Sequence, residues 1–194
     1  DDVDSAVSAF REICGIAVDD GIAFDAASVR GTTIRKEAGY GEVRIDLRAT
    51  LDGARITLQV DIGFGDAVTP SPQAIRYPVL LDGLPAPQLR SYPKYTVVAE
   101  KLHAICLLGM ANTRMKDYFD LWVLMTEGTL DPAELRRAMK ATFERRQLAL
   151  PAGLPAGLSD GFSSDAAKQA QWAAFLKKNR LEALELAPVV ARLR

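Results

Sequence analysis

The chain has 194 residues, of which 48% are hydrophobic and 25% are charged, and its formal net charge is -1. This is ordinary globular composition, and the near-neutral charge excludes attraction of nucleic acid by bulk electrostatics, so an anionic ligand must meet a local cluster of cations. No apolar run approaches the roughly 20 residues of a membrane span. One histidine and two distant cysteines offer little for a zinc site or a disulfide framework. We expect a cytoplasmic protein without a membrane partner.

The first part of the sequence predicts a helix followed by three β-strands. Apolar residues at helical spacing predict the helix, and alternation of apolar with polar residues predicts the strands. The expected bounds are 4–14 for the helix and 28–35, 42–51 and 54–62 for the strands. Asp52 and Gly53 tolerate the positive φ angles of a two-residue turn, so the last two strands are expected to form a hairpin. Asp61 lies off the core face, near the end of this hairpin.

The rest of the sequence predicts a loop and then helices. Region 67–93 holds six prolines, too many for regular structure, and is expected to be a loop with ordered contacts. Pro- and Gly-rich residues 149–160 are expected to be a linker. Helices are predicted at 93–109, 113–126, 132–147 and 164–179, with a last one from Pro188. The predicted domain limits are 1–92 for the remainder of a sheet domain, 93–148 for a helical part, 149–160 for the linker and 161–194 for a C-terminal helical extension.

Lys101 is the first candidate for a functional side chain. It lies one position from Leu102, at the edge of the apolar stripe of its helix, where its long stem can cross apolar surface and place the ammonium in a cleft. An ammonium in such a cleft suits a phosphate. The alternative is a solvated lysine that pairs with Glu100 or Asp117.

The next helix carries a second group of charges. Asp117 and Asp120 share a face, and they are spaced to pair with Arg114 and Lys116. One interpretation is a self-neutralising helix surface. The other is a site, because aromatic and aliphatic residues surround these carboxylates, and carboxylates are seldom placed against a core without a partner.

Other motifs narrow the chemistry. Asp61, at a strand end beside a Gly-rich turn, is a possible metal ligand, although one carboxylate cannot hold a catalytic Mg²⁺ alone. The chain contains no phosphate-binding loop and no HExxH motif. A restriction-type nuclease motif also fails, because Glu100 and Lys101 are adjacent. We expect His103 to be a packed side chain rather than a base.

Several segments together resemble the AbiEii/AbiGii toxin family of nucleotidyltransferases. They are "LQVDIGFGDAVTP", "YPVLLDGLPAPQLRSYP", "TVVAEKLHAICLLGMANTRMKDYFDLW" and "DAAKQAQWAAFL". The resemblance implies an α/β (α+β) fold like that of polymerase β nucleotidyltransferases, with a mixed sheet followed by a helical part. It implies a bacterial toxin of a type IV toxin–antitoxin or abortive-infection system that transfers nucleotides from an NTP to RNA, with tRNA the expected acceptor. Mg²⁺ would accompany the NTP, and a cognate antitoxin is an expected partner.

The resemblance also assigns roles to individual residues. Asp61 would be a catalytic metal carboxylate, Lys101 the catalytic, phosphate-binding lysine and Asp117 a catalytic carboxylate of the last motif. Lys101 would share NTP binding with Arg114, Lys116 and Asp120. The family's first motif, a Gly-Ser or Gly-Thr turn followed by Asp-x-Asp, is expected upstream of residue 1, where it would supply the other metal carboxylates. From this we expect a fold truncated at its N-terminus and a chain that is inactive alone.

Three functions therefore stay open. The first is a nucleotidyltransferase. The second is a non-catalytic remnant of the same fold that binds an antitoxin or RNA, which the missing first motif favours. The third is a metal nuclease, which lacks a complete motif.

Overall fold

The chain combines α-helices with antiparallel β-strands in a computed structural model that describes residues 2–35, 42–81 and 83–194. The contacts between residues divide it into two units, Asp1–Asp66 and Ala67–Arg194. The strands are β1 (Ile22–Arg35), β2 (Glu42–Leu51), β3 (Ala54–Gly63), β4 (Gln73–Arg76) and β5 (Gln88–Ser91). The helices are α1 (Asp2–Cys14), α2 (Lys94–Leu108), α3 (Met115–Glu127), α4 (Pro132–Arg145), α5 (Asp160–Ser164), α6 (Ala166–Lys178) and α7 (Leu186–Arg192). The predicted α+β class is confirmed.

The first unit is a three-stranded sheet, ordered β1-β2-β3, with α1 packed on one face. The apolar positions of the strand alternation face α1, and they form a core with the apolar stripe of the helix. The buried members of this core are Ala6, Val29, Val43, Ile45 and Leu47. The polar positions of the same strands point away from α1 because successive side chains of a strand alternate between faces.

The predicted hairpin is confirmed, and its turn fixes the register of the sheet. Asp52 and Gly53 have φ angles of 46° and 80°, which the two-residue turn requires and which glycine adopts without steric cost. The strands then pair residue by residue from the turn outwards. Arg44 is thereby placed directly opposite Asp61.

The strand predicted at 28–35 is longer than expected, since β1 starts at Ile22. Its added residues include alanine and aspartate, which are depleted in strands, so propensity favoured a loop. Pairing with β2 at Ile22–Asp25, as well as from Arg30 onwards, outweighs that preference. The register shifts between Asp25 and Arg30, and Asp25 and Ser28 form hydrogen bonds within this irregular segment. Ser28 Oγ also accepts a hydrogen bond from Arg48 N on β2.

The prediction of a loop throughout 67–93 is wrong for β4 and β5. These two short strands pair with each other in a separate antiparallel sheet. Neither strand contains a proline, because all six prolines of this region lie outside the paired residues. The prolines limit the strands to four residues each rather than preventing them.

The three central helices are confirmed close to their predicted bounds. Asp131 caps α4 by accepting hydrogen bonds from the backbone N–H groups of Ala133 and Glu134, with Pro132 in the first turn. The entry to α3 differs slightly from the prediction. Asn112 Oδ1 accepts a hydrogen bond from Arg114 N, and the helix begins at Met115 rather than at the predicted residue 113.

The C-terminal helices share one core with α2 and α3. Trp172 and Leu176 of α6 and Val189 and Val190 of α7 are buried in the same cluster as Val98, Ile105, Tyr118 and Leu121. Trp172 Nε1 also donates a 2.6 Å hydrogen bond to Leu184 O. Residues 161–194 are therefore part of the core of the second unit.

The Pro- and Gly-rich stretch 149–160 also contacts this core. Gly157 is buried, and its carbonyl accepts a 2.9 Å hydrogen bond from the Tyr118 hydroxyl. A Cβ at Gly157 would lie 2.8 Å from Ile105 O, so only glycine fits this approach. The division at Asp66 differs from the predicted domain limits, which stay a prediction about functional parts.

Candidate functional site

The predicted phosphate-binding lysine lies between two carboxylates of the neighbouring helix. Lys101 on α2 places its Nζ 2.8 Å from Asp117 Oδ1 and 2.7 Å from Asp120 Oδ2, both on α3. Only 17% of the Lys101 side chain is exposed. The two aspartates can reach the same ammonium because residues three apart lie on one face of a helix.

Asp117 is the most buried member of this group, with a side chain 4% exposed. Its Oδ1 accepts the hydrogen bond from Lys101, and its Oδ2 lies 2.8 Å from Arg114 Nε. The Arg114 contact is an ion pair without hydrogen-bond geometry, and Oδ2 accepts no hydrogen bond from the described residues. Both oxygens of this buried carboxylate therefore lie beside a cation, and only Oδ1 accepts a hydrogen bond from the described residues.

Asp120 is shared by two lysines. Its Oδ2 contacts Lys101 and also Lys116, whose side chain is 72% exposed. Burial alone would raise the pKa of Asp120, but the hydrogen bonds from Lys101 and Lys116 outweigh it and lower that pKa. Burial would likewise lower the pKa of Lys101, yet the bonds to Asp117 and Asp120 raise it above its ordinary value. Lys101 and Asp120 are therefore both charged at neutral pH.

We call Lys101, Arg114, Lys116, Asp117 and Asp120 the α2–α3 charge cluster. Three cations and two carboxylates leave one formal positive charge. An ammonium has three donors, and Lys101 uses two on the aspartates, which leaves a third for an incoming ligand. Together with the exposed Arg114 and Lys116, this surplus favours an anion. Five of the six predicted site residues thus meet in one cluster.

The sixth predicted residue, Asp61, lies in the first unit and forms a different pair. Arg44 Nε donates to Asp61 Oδ1 at 2.7 Å, and Arg44 Nη2 donates to Oδ2 at 2.9 Å. The hydrogen bonds with Arg44 lower the pKa of Asp61. The Asp61 side chain is 52% exposed. Both of its oxygens are therefore already in use.

The described residues do not fit a resident Mg²⁺ site. Residues 2–35, 42–81 and 83–194 contain no group of three or more Asp, Glu, His or Cys side chains placed to hold a metal ion. Asp61 would have to leave Arg44 to become a ligand. The metal role of Asp61 stays a prediction.

His103 is a packed side chain, as predicted. It is buried and meets Phe143 edge-on, with the ring centroids 5.2 Å apart. Burial, with a smaller contribution from the positive charge of Arg146, lowers its pKa. The imidazole is neutral at physiological pH.

Two supporting residues escaped the sequence analysis. Arg44, the partner of Asp61, could have been found by counting outwards from the Asp52-Gly53 turn, because a two-residue turn fixes which residues face each other. Lys168 is buried on α6, and its Nζ donates a 2.9 Å hydrogen bond to Asn112 O just before α3. No local sequence signal indicates that contact.

The cluster thus combines a partly buried lysine held between two carboxylates with two exposed cations, in a protein of the α+β class. The family is identified by comparison with family models. Residues 1–189 match the model of the nucleotidyl transferase AbiEii toxin of type IV toxin–antitoxin systems, and the chain belongs to this family. The recognition based on the motifs is confirmed. Searches of curated proteins and of solved structures found no match to the chain.

Membership gives the coarse function. The family is one of nucleotidyl transferases that act as toxins, which implies a nucleotide substrate and an antitoxin partner. No helix among the described residues is both long enough and apolar enough to cross a membrane.

Proposed function

We propose that this protein transfers nucleotides from an NTP to an RNA acceptor, with tRNA as the expected acceptor, and that the α2–α3 charge cluster contacts the NTP. The observation that carries the proposal is the Lys101 ammonium, which is oriented by two carboxylates and has one donor to spare. Family membership supplies the reaction class. The alternative, a non-catalytic binding remnant, predicts binding without transfer.

In this proposal Lys101 binds phosphate oxygens of the NTP. Asp117 and Asp120 hold its ammonium in place, so its orientation costs little when the ligand arrives, which is how a preorganised charge stabilises a transition state. Arg114 and Lys116 are exposed and add positive charge beside it. They raise the affinity for the triphosphate but are not fixed as firmly as Lys101.

Asp117 has a second role in this proposal. When the exposed Arg114 side chain turns from Asp117 to a phosphate, Oδ2 becomes an acceptor for a hydroxyl group of the nucleotide or of the acceptor ribose. An ionised carboxylate that faces a hydroxyl orients it and favours loss of its proton. We therefore assign Asp117 a catalytic role.

Asp61 is proposed as a metal carboxylate on the strength of the family resemblance. Magnesium belongs to the proposal as the ion that accompanies the NTP. Since Asp61 is exposed and its partner among the described residues is Arg44, it can be changed without opening a core.

The test is incorporation of each of four labelled NTPs into tRNA by the full-length protein with Mg²⁺. We expect Lys101→Ala and Asp61→Asn to reduce labelling at least about 100-fold, the scale of losing one preorganised charged group. Lys116→Ala, at an exposed position, should raise the KM for the NTP more than it lowers kcat. Lys140→Ala is the control, because Lys140 is an exposed lysine of the same unit outside the cluster.

Circular dichroism of each variant separates loss of chemistry from loss of fold. Failure of the wild-type protein to label any RNA would overturn the proposed function. Full labelling by folded Lys101→Ala or Asp61→Asn would instead remove only the role of that residue. The inactivity of the 194-residue chain alone stays a prediction that the same assay checks.

A further inference from the structure

A groove lies between the start of α3 and α6. It has a volume of about 510 Å³ and is open to solvent along one side. The start of α3 provides Arg114, Lys116 and Asp117 as one wall. Lys101 and Asp120 do not line it. The groove therefore borders the charge cluster and shares Arg114, Lys116 and Asp117 with it.

The opposite wall comes from α6, in the C-terminal segment that the sequence left without a role. It presents Gln171, Phe175 and the exposed Lys178 to the groove. Phe175 belongs to an aromatic cluster and lies 5.7 Å from Trp172, centroid to centroid, so its position is fixed by packing. This wall offers an amide, an aromatic face and a cation.

The two walls are held together by a buried hydrogen bond. Lys168 on α6 donates to Asn112 O, and Asn112 is fully buried immediately before the groove residues of α3. The relative position of the two walls is thus fixed by contacts in the core of this unit.

From this arrangement we infer that the α3–α6 groove binds the sugar-phosphate backbone of the RNA acceptor strand. Arg114, Lys116 and Lys178 supply positive charge from both walls, which suits phosphates. Asp117 also lines the groove, and its buried Oδ2 is held there by the ion pair with Arg114. Phe175 offers a surface on which a base can stack. The identity of the ligand as RNA rests on the proposed function.

An acidic peptide fits the groove less well than RNA. Its carboxylates would pair with the same cations, but it offers no base to stack on Phe175. A free NTP has both a base and phosphates, and competition by ATP in the binding assay distinguishes it from an RNA strand.

The test is direct binding of a fluorescently labelled single-stranded RNA oligonucleotide to the full-length protein, followed by anisotropy in the absence of NTP. Lys178→Glu should raise the Kd for RNA about ten-fold at low salt, since it reverses a charge beside the phosphates. Lys177→Glu is the matched control. Lys177 is the adjacent exposed lysine of α6, carries the same charge and does not line the groove.

Three further results complete the test. Lys178→Ala should reduce the slope of log affinity against log salt by about one. DNA of the same sequence should bind more weakly than RNA, because it lacks the 2′-hydroxyl. Lys178→Glu should raise the KM for RNA in the transfer assay and leave the KM for NTP unchanged.

Equal effects of Lys178→Glu and Lys177→Glu would overturn the inference, as would displacement of RNA by ATP or by an acidic peptide at comparable concentrations. These outcomes are distinct from failure of the proposed function. Loss of RNA binding in Lys178→Glu alone, in a protein that transfers no nucleotide, would support the groove and reject the transferase. Nucleotide transfer that is unaffected by Lys178→Glu would support the transferase and reject the groove as its RNA-binding site.

Discussion

The two units of this chain each contain an aspartate that the family resemblance marks as functional, but the two differ in their access to water. Asp61 is about half exposed and is held by one arginine across a hairpin. Asp117 is almost completely buried and is held by a lysine from another helix. An exposed ion pair contributes little to folding, whereas a buried one must stay intact because an unpaired buried charge is costly. The second unit therefore uses the same residues for its fold and for its site, while Asp61 is available for function alone.

The largest expected effect comes from removing the ammonium of the buried cluster. Lys101→Met keeps the stem but leaves Asp117 and Asp120 without their shared cation, so we expect the free energy of unfolding to fall by about 3 kcal/mol. Urea denaturation measures it, as a lower midpoint at an unchanged m-value. Lys140→Met, which removes a loose surface pair, should change stability by no more than a few tenths of a kcal/mol.

A double mutant distinguishes electrostatics from packing. Lys101→Met combined with Asp117→Asn removes the buried negative charge as well, and it should recover part of the lost stability. A wild-type midpoint in Lys101→Met alone would show that the cluster is solvated and that the comparison between the two units is mistaken.

The sequence predicted the elements of this fold better than their packing. The hairpin, α2 and α4 were predictable because turn chemistry, periodicity and capping act over a few residues, as at Asp52 and Asp131. The extension of β1 and the pairing of β4 with β5 were not, because they depend on partners distant along the chain. The same limit applied to residues 149–160, where proline and glycine indicated a linker although Gly157 packs against Ile105 and Tyr118.

In the candidate site, too, short-range features could be predicted from the sequence and contacts between distant residues could not. Helical spacing placed Asp117 and Asp120 on one face, and the motifs supplied Lys101. Arg44, the bidentate partner of Asp61, could have been identified by counting residues outwards from the hairpin turn. The contribution of α6 was not, because a hydrogen bond from Lys168 to Asn112 joins residues 56 positions apart.

A smaller effect is expected from filling the space at Gly157. Its Cβ would meet the backbone oxygen and side chain of Ile105 on α2, the helix that carries Lys101, so Gly157→Ala should destabilise the protein by about 2 kcal/mol through overpacking. Gly153→Ala is the control in the same stretch, since a Cβ there meets nothing within 4 Å. Thermal or urea unfolding of the two variants measures the difference. Equal stabilities would mean that this stretch behaves as the linker its composition indicates.

The smallest expected effect is on the stability of the fold at low pH. It allows a direct comparison of the carboxylates of the two units. The pKa of Asp120 is lowered from 3.8 by its lysines, so its ion pairs stabilise the fold above pH 3.8 and lose this contribution as the pH falls through the lower folded-state pKa. Asp120→Asn should therefore flatten the acid end of the stability profile. The pKa of Asp61 is lowered too, but water screens its pair with Arg44, so Asp61→Asn should leave that profile as in the wild type. Urea midpoints measured from pH 6 downwards decide between them, and matching profiles for the two variants would show that burial does not separate these carboxylates.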